Sequence, residues 1–281
     1  MSGLVERIRE HYESGQDDAS LVADITKILD SLPGGSLNGM QLAGLDQFHV
    51  GGLVATSELA ELAGIQPETK VMDAGSGLGG PSRYLAERYG CRVIGVDLTP
   101  SFIAIAKLLA QRTNLDHLVT YQTGNLNALS LPDDYFDLVW TQHVVMNIPD
   151  RGQVYRELRR VLRSGGKLAF YDVIAADGQP DPHFPVPWAE SSESSFLLTK
   201  AATIEALESA RLFLNAWHDV TDEALSWLEQ QGTGRQRSSS SPGLSLAAVM
   251  GPRFATMAAN LAQNIRDGRV RLAMGVAGES Q

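Results

Sequence analysis

Apolar residues in the first part of the chain recur at helical spacing, and beyond residue 70 they gather into short runs separated by amphipathic stretches. Leu21, Ile25, Ile28 and Leu29 predict that residues 4–30 are helical, with Gly34-Gly35 after Pro33 as the stop. His11 and Tyr12 then fall near the end of a first helical piece, either as packing residues or as part of a lid. A helix over 53–63 (LVATSELAELA) leads to a strand that ends near Asp73. Strands follow at 91–96, 118–122, 136–141 and, after Gly165-Gly166, 167–173. Between them, Phe102, Ile105, Ala106 and Leu109 mark one face of a helix at 101–112, and Val154, Leu158, Val161 and Leu162 one at 150–163. This alternation predicts an α/β fold with a doubly wound, mostly parallel sheet covered on both faces.

The pattern changes after Ile174. DGQPDPHFPVPWAE at 177–190 holds four prolines and is expected to be rigid and irregular. A helix at 199–210, a strand at 212–219 and a helix at 221–230 come next. GTGRQRSSSSPG at 232–243 has the composition of a flexible surface loop. Phe254, Met257, Ala258, Leu261 and Ile265 mark a further amphipathic helix before a last strand at 270–276. No internal repeat is present, so one domain is expected over 1–281. Its parts are a helical N-terminal cover (1–65), a core (66–176), and a cap with the last strands (177–281), helices being inserted between the last two strands.

The densest local signal is KVMDAGSGLGGPSR at 70–83. Gly75, Gly77, Gly79 and Gly80 follow a strand and precede Pro81, which suits the first turn of a helix. Strand, glycine turn and helix N-terminus form the first nucleotide-binding loop of a Rossmann-like sheet. Gly75, Gly77 and Gly80 fit the dinucleotide fingerprint of a nicotinamide-dependent oxidoreductase. Gly75, Gly77 and Gly79 after an acidic residue fit a loop for S-adenosylmethionine (SAM). Charge favours the second, because the Asp73 carboxylate would repel a pyrophosphate and attract the ammonium and sulfonium of SAM.

Composition narrows the rest. Thirty-three acidic against 23 basic residues give a formal charge of −10, which argues against nucleic acid as the main partner. Cys91 is the single cysteine, so no internal disulfide forms, and it is expected to be a small core residue. MSGLVERIRE lacks an apolar h-region, and no apolar run approaches the length of a membrane span, so a cytoplasmic location is expected. Histidines 11, 49, 117, 143, 183 and 218 show no metal-ligand spacing, and there is neither HExxH nor GxSxG. No metal is expected.

Asp97 ends the second strand 22 positions after Gly75, where a carboxylate meets a ribose diol. Asn125 ends the third, where a polar group can reach an adenine. Thr141-Gln142-His143 closes the fourth, with Asn147 one turn on, and carboxyl ends of parallel strands face the ligand crevice. His143 is therefore the candidate to orient an acceptor or take its proton. Asp46-Gln47-Phe48-His49 before Gly51-Gly52 is either a helix start or a source of side chains for the cofactor pocket.

Taken together, DQFHVGG (46–52), DAGSGLGGPSRYLA (73–86), GVDLT (95–99), WTQHVVMNI (140–148), FYDV (170–173) and HFPVPWA (183–189) resemble one family. It is the class I SAM-dependent methyltransferases, in particular the sarcosine/dimethylglycine N-methyltransferase-like group. The resemblance runs from about residue 45 to the end and is strongest up to residue 190. It implies that Gly75, Gly77 and Gly79 bend under the methionine part of SAM and that Asp97 holds the ribose. Leu98 and Asn125 would flank the adenine, Gln142 would sit near the sulfonium, and Gln47 and His49 would close the pocket from the N-terminal side. HFPVPWA, with His183 and Trp188, and the helix after the serine-rich loop would wall an acceptor site that Tyr12 and Asn147 also approach. The implied activity is methylation of a small molecule, foremost the amine of a glycine derivative, with oxygen or carbon of a secondary metabolite as the alternative. Asn125 stands where the group often has aspartate, Ser76 where it often has cysteine, and no arginine is identified to bind a glycine-like carboxylate.

Overall fold

A computed structural model describes residues 2–13, 15–32, 37–232 and 244–280. Gly34-Gly35 and nearly all of the serine-rich segment, for which a helix stop and a flexible loop are expected, lie outside the described residues.

Among the described residues, seven strands form one sheet in the order β3-β2-β1-β4-β5-β7-β6. They are β1 (Lys70–Ala74), β2 (Arg92–Asp97), β3 (Val119–Thr123), β4 (Phe136–Gln142), β5 (Leu162–Ala175), β6 (Phe213–Asp219) and β7 (Val270–Gly278). The first five pair in parallel, and β7 runs antiparallel to both β5 and β6. Because order reverses between β1 and β4, the carboxyl ends of β2, β1 and β4 open onto one crevice. The expected mostly parallel α/β sheet is therefore the observed one.

The N-terminal cover is more divided than its periodicity predicts. The expected helix over 4–30 is two helices, α1 (Ser2–Tyr12) and α2 (Asp18–Asp30). Gly15 takes a left-handed φ of 71° between them, and Asp17 caps α2 by accepting from the Ser20 amide at 3.0 Å. A further helix, α3 (Gly39–Asp46), starts with a reciprocal Asn38–Gln41 capping box. The polar cluster at 46–49 thus stands at a helix end rather than a helix start, and α4 (Gly52–Ala63) begins after it.

The helices α5 (Gly80–Tyr89), α6 (Pro100–Arg112) and α7 (Arg151–Val161) cross between the parallel strands. After β5 come α8 (Lys200–Ser209), and then, between β6 and β7, α9 (Thr221–Gly232), α10 (Ala247–Met250) and α11 (Phe254–Arg266). Trp140, Tyr171 and Trp188 are fully buried in the core that joins sheet and cap. Leu21, Ile25 and Leu29 of α2 pack with Phe102, Ile105 and Leu109 of α6, so the N-terminal cover shares a core with the sheet's helices. Cys91 is buried, and burial pushes its thiol up to about 11, which suits a packing role. No helix among the described residues is long and apolar enough to cross a membrane.

Candidate functional site

β1 ends one residue beyond Asp73, and the chain turns through Gly75–Gly79 into α5. The loop is tied to β2: the Gly75 and Ser76 amides both donate to Val96 O, at 2.8 and 3.1 Å. Gly79 caps α5 at φ 75°, and a Cβ there would collide with the Tyr121 hydroxyl from β3, so this position excludes any side chain. Gly77 instead faces Phe48, whose ring a Cβ would meet at 3.7 Å.

Asp97 joins the two strand ends. Its Oδ2 accepts from Gly77 N at 2.8 Å and its Oδ1 from Thr99 N at 2.9 Å. Each carboxylate oxygen keeps a lone pair for a further donor. Burial raises the Asp97 pKa, against the pull of those amides.

Asp73 differs from the expectation of a free anion. Its side chain is buried under α5, and its Oδ2 accepts from the Ser82 hydroxyl at 2.6 Å. Burial pushes its pKa up to about 7. The carboxylate that favours SAM over a pyrophosphate is therefore only partly ionised at neutral pH. A raised carboxylate pKa means that the folded state binds the proton more tightly than the unfolded chain does. Stability from this group is full below about pH 4 and is lost as pH rises through about 7. Asp73→Asn keeps an oxygen for Ser82 and removes the charge. It is expected to flatten the fall in melting temperature over that interval, and an unchanged profile would assign the slope elsewhere.

His143 follows β4 at a left-handed φ of 53°, unusual for a residue with a side chain. Its amide donates to Tyr171 O at 2.7 Å, and the next amide, of Val144, donates to Asp172 Oδ1 at 3.2 Å. The imidazole packs on the Tyr171 ring at 4.6 Å and lies 6.2 Å from the His49 ring. Burial lowers its pKa well below the usual histidine value, and His49 adds to the effect. Burial also lowers His49 to about 4. Its Nε2 lies 3.0 Å from both Gly52 O and Thr56 Oγ1. Gly52 O can only accept, so Nε2 carries the proton and Nδ1 is the bare nitrogen. Both imidazoles are neutral at pH 7.

Thr56 of α4 is a hub that the sequence does not disclose. Its hydroxyl also lies 3.0 Å from Gln47 Oε1 and 3.4 Å from Gln142 Oε1, which in turn accepts from Trp140 Nε1 at 2.9 Å. Gln47 and His49, from the segment between α3 and α4, are thereby brought to Gln142 at the end of β4. Ser76 Oγ, Thr141 Oγ1, Gln142 Nε2 and His143 Nε2 are buried without a hydrogen-bond partner in the described residues. Such groups cost free energy unless a ligand or water satisfies them. Orphaned donors and acceptors at the ends of β1 and β4, beside a glycine turn and the Asp97 carboxylate, fit a polar, cationic nucleoside such as SAM.

Beside this crevice is a half-open cavity of about 60 Å³ lined by Phe48, His49 and His143 on one side. Tyr12, Trp188 and α11 contribute to the other. The Tyr12 hydroxyl donates to Asn147 Oδ1 at 2.9 Å, and Asn147 Nδ2 donates to Trp188 O at 2.6 Å and Ser194 O at 3.0 Å. The Asn147 amide thus clamps α1 and the proline-rich segment over the cavity. His183 stands apart: Asn264 pins its backbone N–H and C=O at 2.7 and 3.0 Å, and its half-exposed ring faces Asp267 at 3.4 Å. Asn125 is exposed, and its Oδ1 accepts from the Asn127 amide at 2.9 Å, closing a turn. Leu98 is half-buried between Asp97 and Thr99. Trp227 and Leu228 of α9 line the cavity as well, although the helical pattern at 221–230 does not mark them out.

Residues 72–170 match a family model described as a methyltransferase domain. The sarcosine/dimethylglycine N-methyltransferase of Halorhodospira halochloris is 38% identical over 115 residues, 41% of each chain. A sterol 24-C-methyltransferase, ERG6B of Gibberella zeae, is 32% identical over 119 residues, 42% of this chain and 31% of that one. The matches thus span less than half the length of these curated relatives. Geranyl diphosphate C-methyltransferase of Streptomyces coelicolor A3(2), solved with S-adenosyl-L-homocysteine, shares the fold end to end. Its TM-score is 0.71 at 17% identity, over 99% of this chain and 98% of that one. With the domain match, the strand order and the glycine turn in agreement, residues 72–170 are a methyltransferase domain, set in a sheet with the strand order of the class I SAM-dependent methyltransferase fold.

Proposed function

We propose that the chain transfers a methyl group from SAM to a small molecule held in the cavity beside the glycine turn. The observation that carries this is adjacency: Phe48, whose ring lies 3.7 Å from where a Cβ on Gly77 would stand, lines the cavity, and His143 closes β4 against the same space. Bound SAM supplies a methyl on a positively charged sulfur. Gly75, Gly77 and Gly79 give the turn its shape, Asp73 supports it from beneath, and Asp97 accepts from the ribose hydroxyls. Leu98 packs on the adenine, with the free Asn125 amide nitrogen at its edge. Gln142 Nε2, with Gln47 and His49 behind it, borders the sulfonium end. Tyr12, Asn147 and Trp188 hold the acceptor side closed, which aligns the reactants and excludes water. His143 orients the acceptor and takes a proton where the acceptor has one to lose.

For the acceptor, the Halorhodospira relative supports the amine of a glycine derivative such as sarcosine or dimethylglycine. The sterol 24-C-methyltransferase supports an apolar acceptor instead. Cavity residues run from Tyr12 to Leu261, so a match of 115 or 119 residues cannot contain them all.

Calorimetry with S-adenosylhomocysteine and with NAD tests the donor reading. Binding of NAD alone would end it. Labelled SAM with a panel of amine and hydroxyl acceptors tests transfer. His143→Ala is expected to lower kcat about a hundredfold, within the usual range for acid–base groups, while the SAM dissociation constant changes less than about threefold. Normal turnover would make His143 a bystander.

A further inference from the structure

Resting on the methyltransferase reading, we propose that the acceptor is an uncharged, apolar molecule presenting a hydroxyl, and not a zwitterionic glycine derivative. The cavity walls are Trp188, Trp227, Met250, Phe254 and Leu261, and among the described residues no lysine, arginine, aspartate or glutamate lines it. A carboxylate taken out of water without a cation or several donors loses several kcal/mol of solvation, on the order of a thousandfold in affinity. The candidate donors do not fill that need, since only the single N–H of the neutral His143 imidazole is uncommitted. Tyr12 spends its hydroxyl proton on Asn147, and His49 spends its N–H on Gly52 and Thr56. Arg253, next to the cavity residue Phe254, is exposed and paired with Glu190. Arg235 and Arg237 lie outside the described residues.

What the cavity does offer is a predominantly apolar lining and two neutral imidazoles. A neutral imidazole nitrogen accepts a hydrogen bond from a hydroxyl and brings no charge to a carboxylate. A hydroxyl directed at His143 places its oxygen on the side of the crevice. Methylation of that hydroxyl forms an O–CH3 bond and breaks the S–CH3 bond, with the electron pair left on sulfur. The hydroxyl proton passes to the His143 imidazole and then to water.

The test uses the full chain saturated with S-adenosylhomocysteine, with Trp188 and Trp227 fluorescence as the binding signal. The probes are 4-propylphenol, 4-propylbenzoate and dimethylglycine. The phenol is expected to bind at least tenfold more tightly than the benzoate, dimethylglycine to give no saturable change, and labelled SAM to convert the phenol to its methyl ether. Ala258→Arg, at a half-buried cavity position on α11, is expected to reverse the preference towards the benzoate. A purely structural lesion would weaken both probes alike. Failure of S-adenosylhomocysteine to bind would remove the methyltransferase reading and this inference with it. With that ligand bound, equal or tighter binding of dimethylglycine or benzoate, or no binding of the phenol, would overturn the acceptor class alone.

Discussion

Asp97→Ala is expected to raise the SAM dissociation constant about a hundredfold or more, measured by calorimetry. On the proposed reading its two oxygens accept from two ribose hydroxyls, and hydrogen bonds to a charged group contribute about 1.5–3 kcal/mol each. Two of them amount to at least about 3 kcal/mol, or two powers of ten in affinity. The same carboxylate also holds Gly77 N at 2.8 Å and Thr99 N at 2.9 Å, so the loop loses its anchor together with the ligand's partner. S-adenosylhomocysteine separates a ribose contact from a charge effect, because it shares the ribose but lacks the sulfonium. Equal losses for both ligands support the ribose role. A loss for SAM alone would reassign Asp97 to charge attraction, and unchanged affinity for both would remove it from the site. Asp97→Asn keeps one oxygen for Gly77 N and is expected to fall between.

The elements were legible wherever burial writes a period into the chain. β2, β4 and the helices α6 and α7 appear within a residue or two of their expected bounds, because parallel strands covered on both faces read as compact apolar runs. The break between α1 and α2 was also present in the sequence, as Gly15 and the cap Asp17, but the apolar rhythm of residues 21–29 masked it. Strand ends were informative about the site for a topological reason: a parallel sheet sends the ends of β1, β2 and β4 to the same crevice. Side-chain partners across long separations were not. Nothing near Thr56 marks a mid-helix threonine as the meeting point of Gln47, His49 and Gln142. The charge of Asp73 is not legible either, because its pKa depends on burial beneath α5, whose Ser82 stands nine residues further on. His183 lies in a motif whose Pro187 and Trp188 line the cavity, yet Asn264, 81 residues away, holds its backbone and its ring is left half-exposed.

The other large effect concerns an ion pair that holds the N-terminal cover to the sheet. Arg83→Met is expected to destabilise the fold by about 3–5 kcal/mol, the range for removing one partner of a buried pair. Arg83 and Asp46 are both almost fully buried, with Nη2 2.6 Å from Oδ2, and Nη1 donates to Leu78 O at 2.8 Å. Asp46 ends α3, and the chain after it carries Gln47 and His49 into the crevice, so the pair fixes where those side chains begin. The fit is tight: a Cβ on Gly80, at the start of α5, would collide with Asp46 O. Burial holds the Asp46 carboxyl up at about 6 even while the guanidinium pulls it down. Without Arg83 the pKa rises further and the folded state holds the proton more tightly. The destabilisation is therefore expected to be smaller at pH 5 than at pH 8, since an unfolded aspartate is ionised at both. Asp46→Asn combined with Arg83→Met removes the stranded charge and is expected to recover much of the loss at pH 8. Urea denaturation at the two pH values reads all of this. A single-variant loss under about 1 kcal/mol, or a double variant no more stable than Arg83→Met, would show that the pair does not anchor the cover.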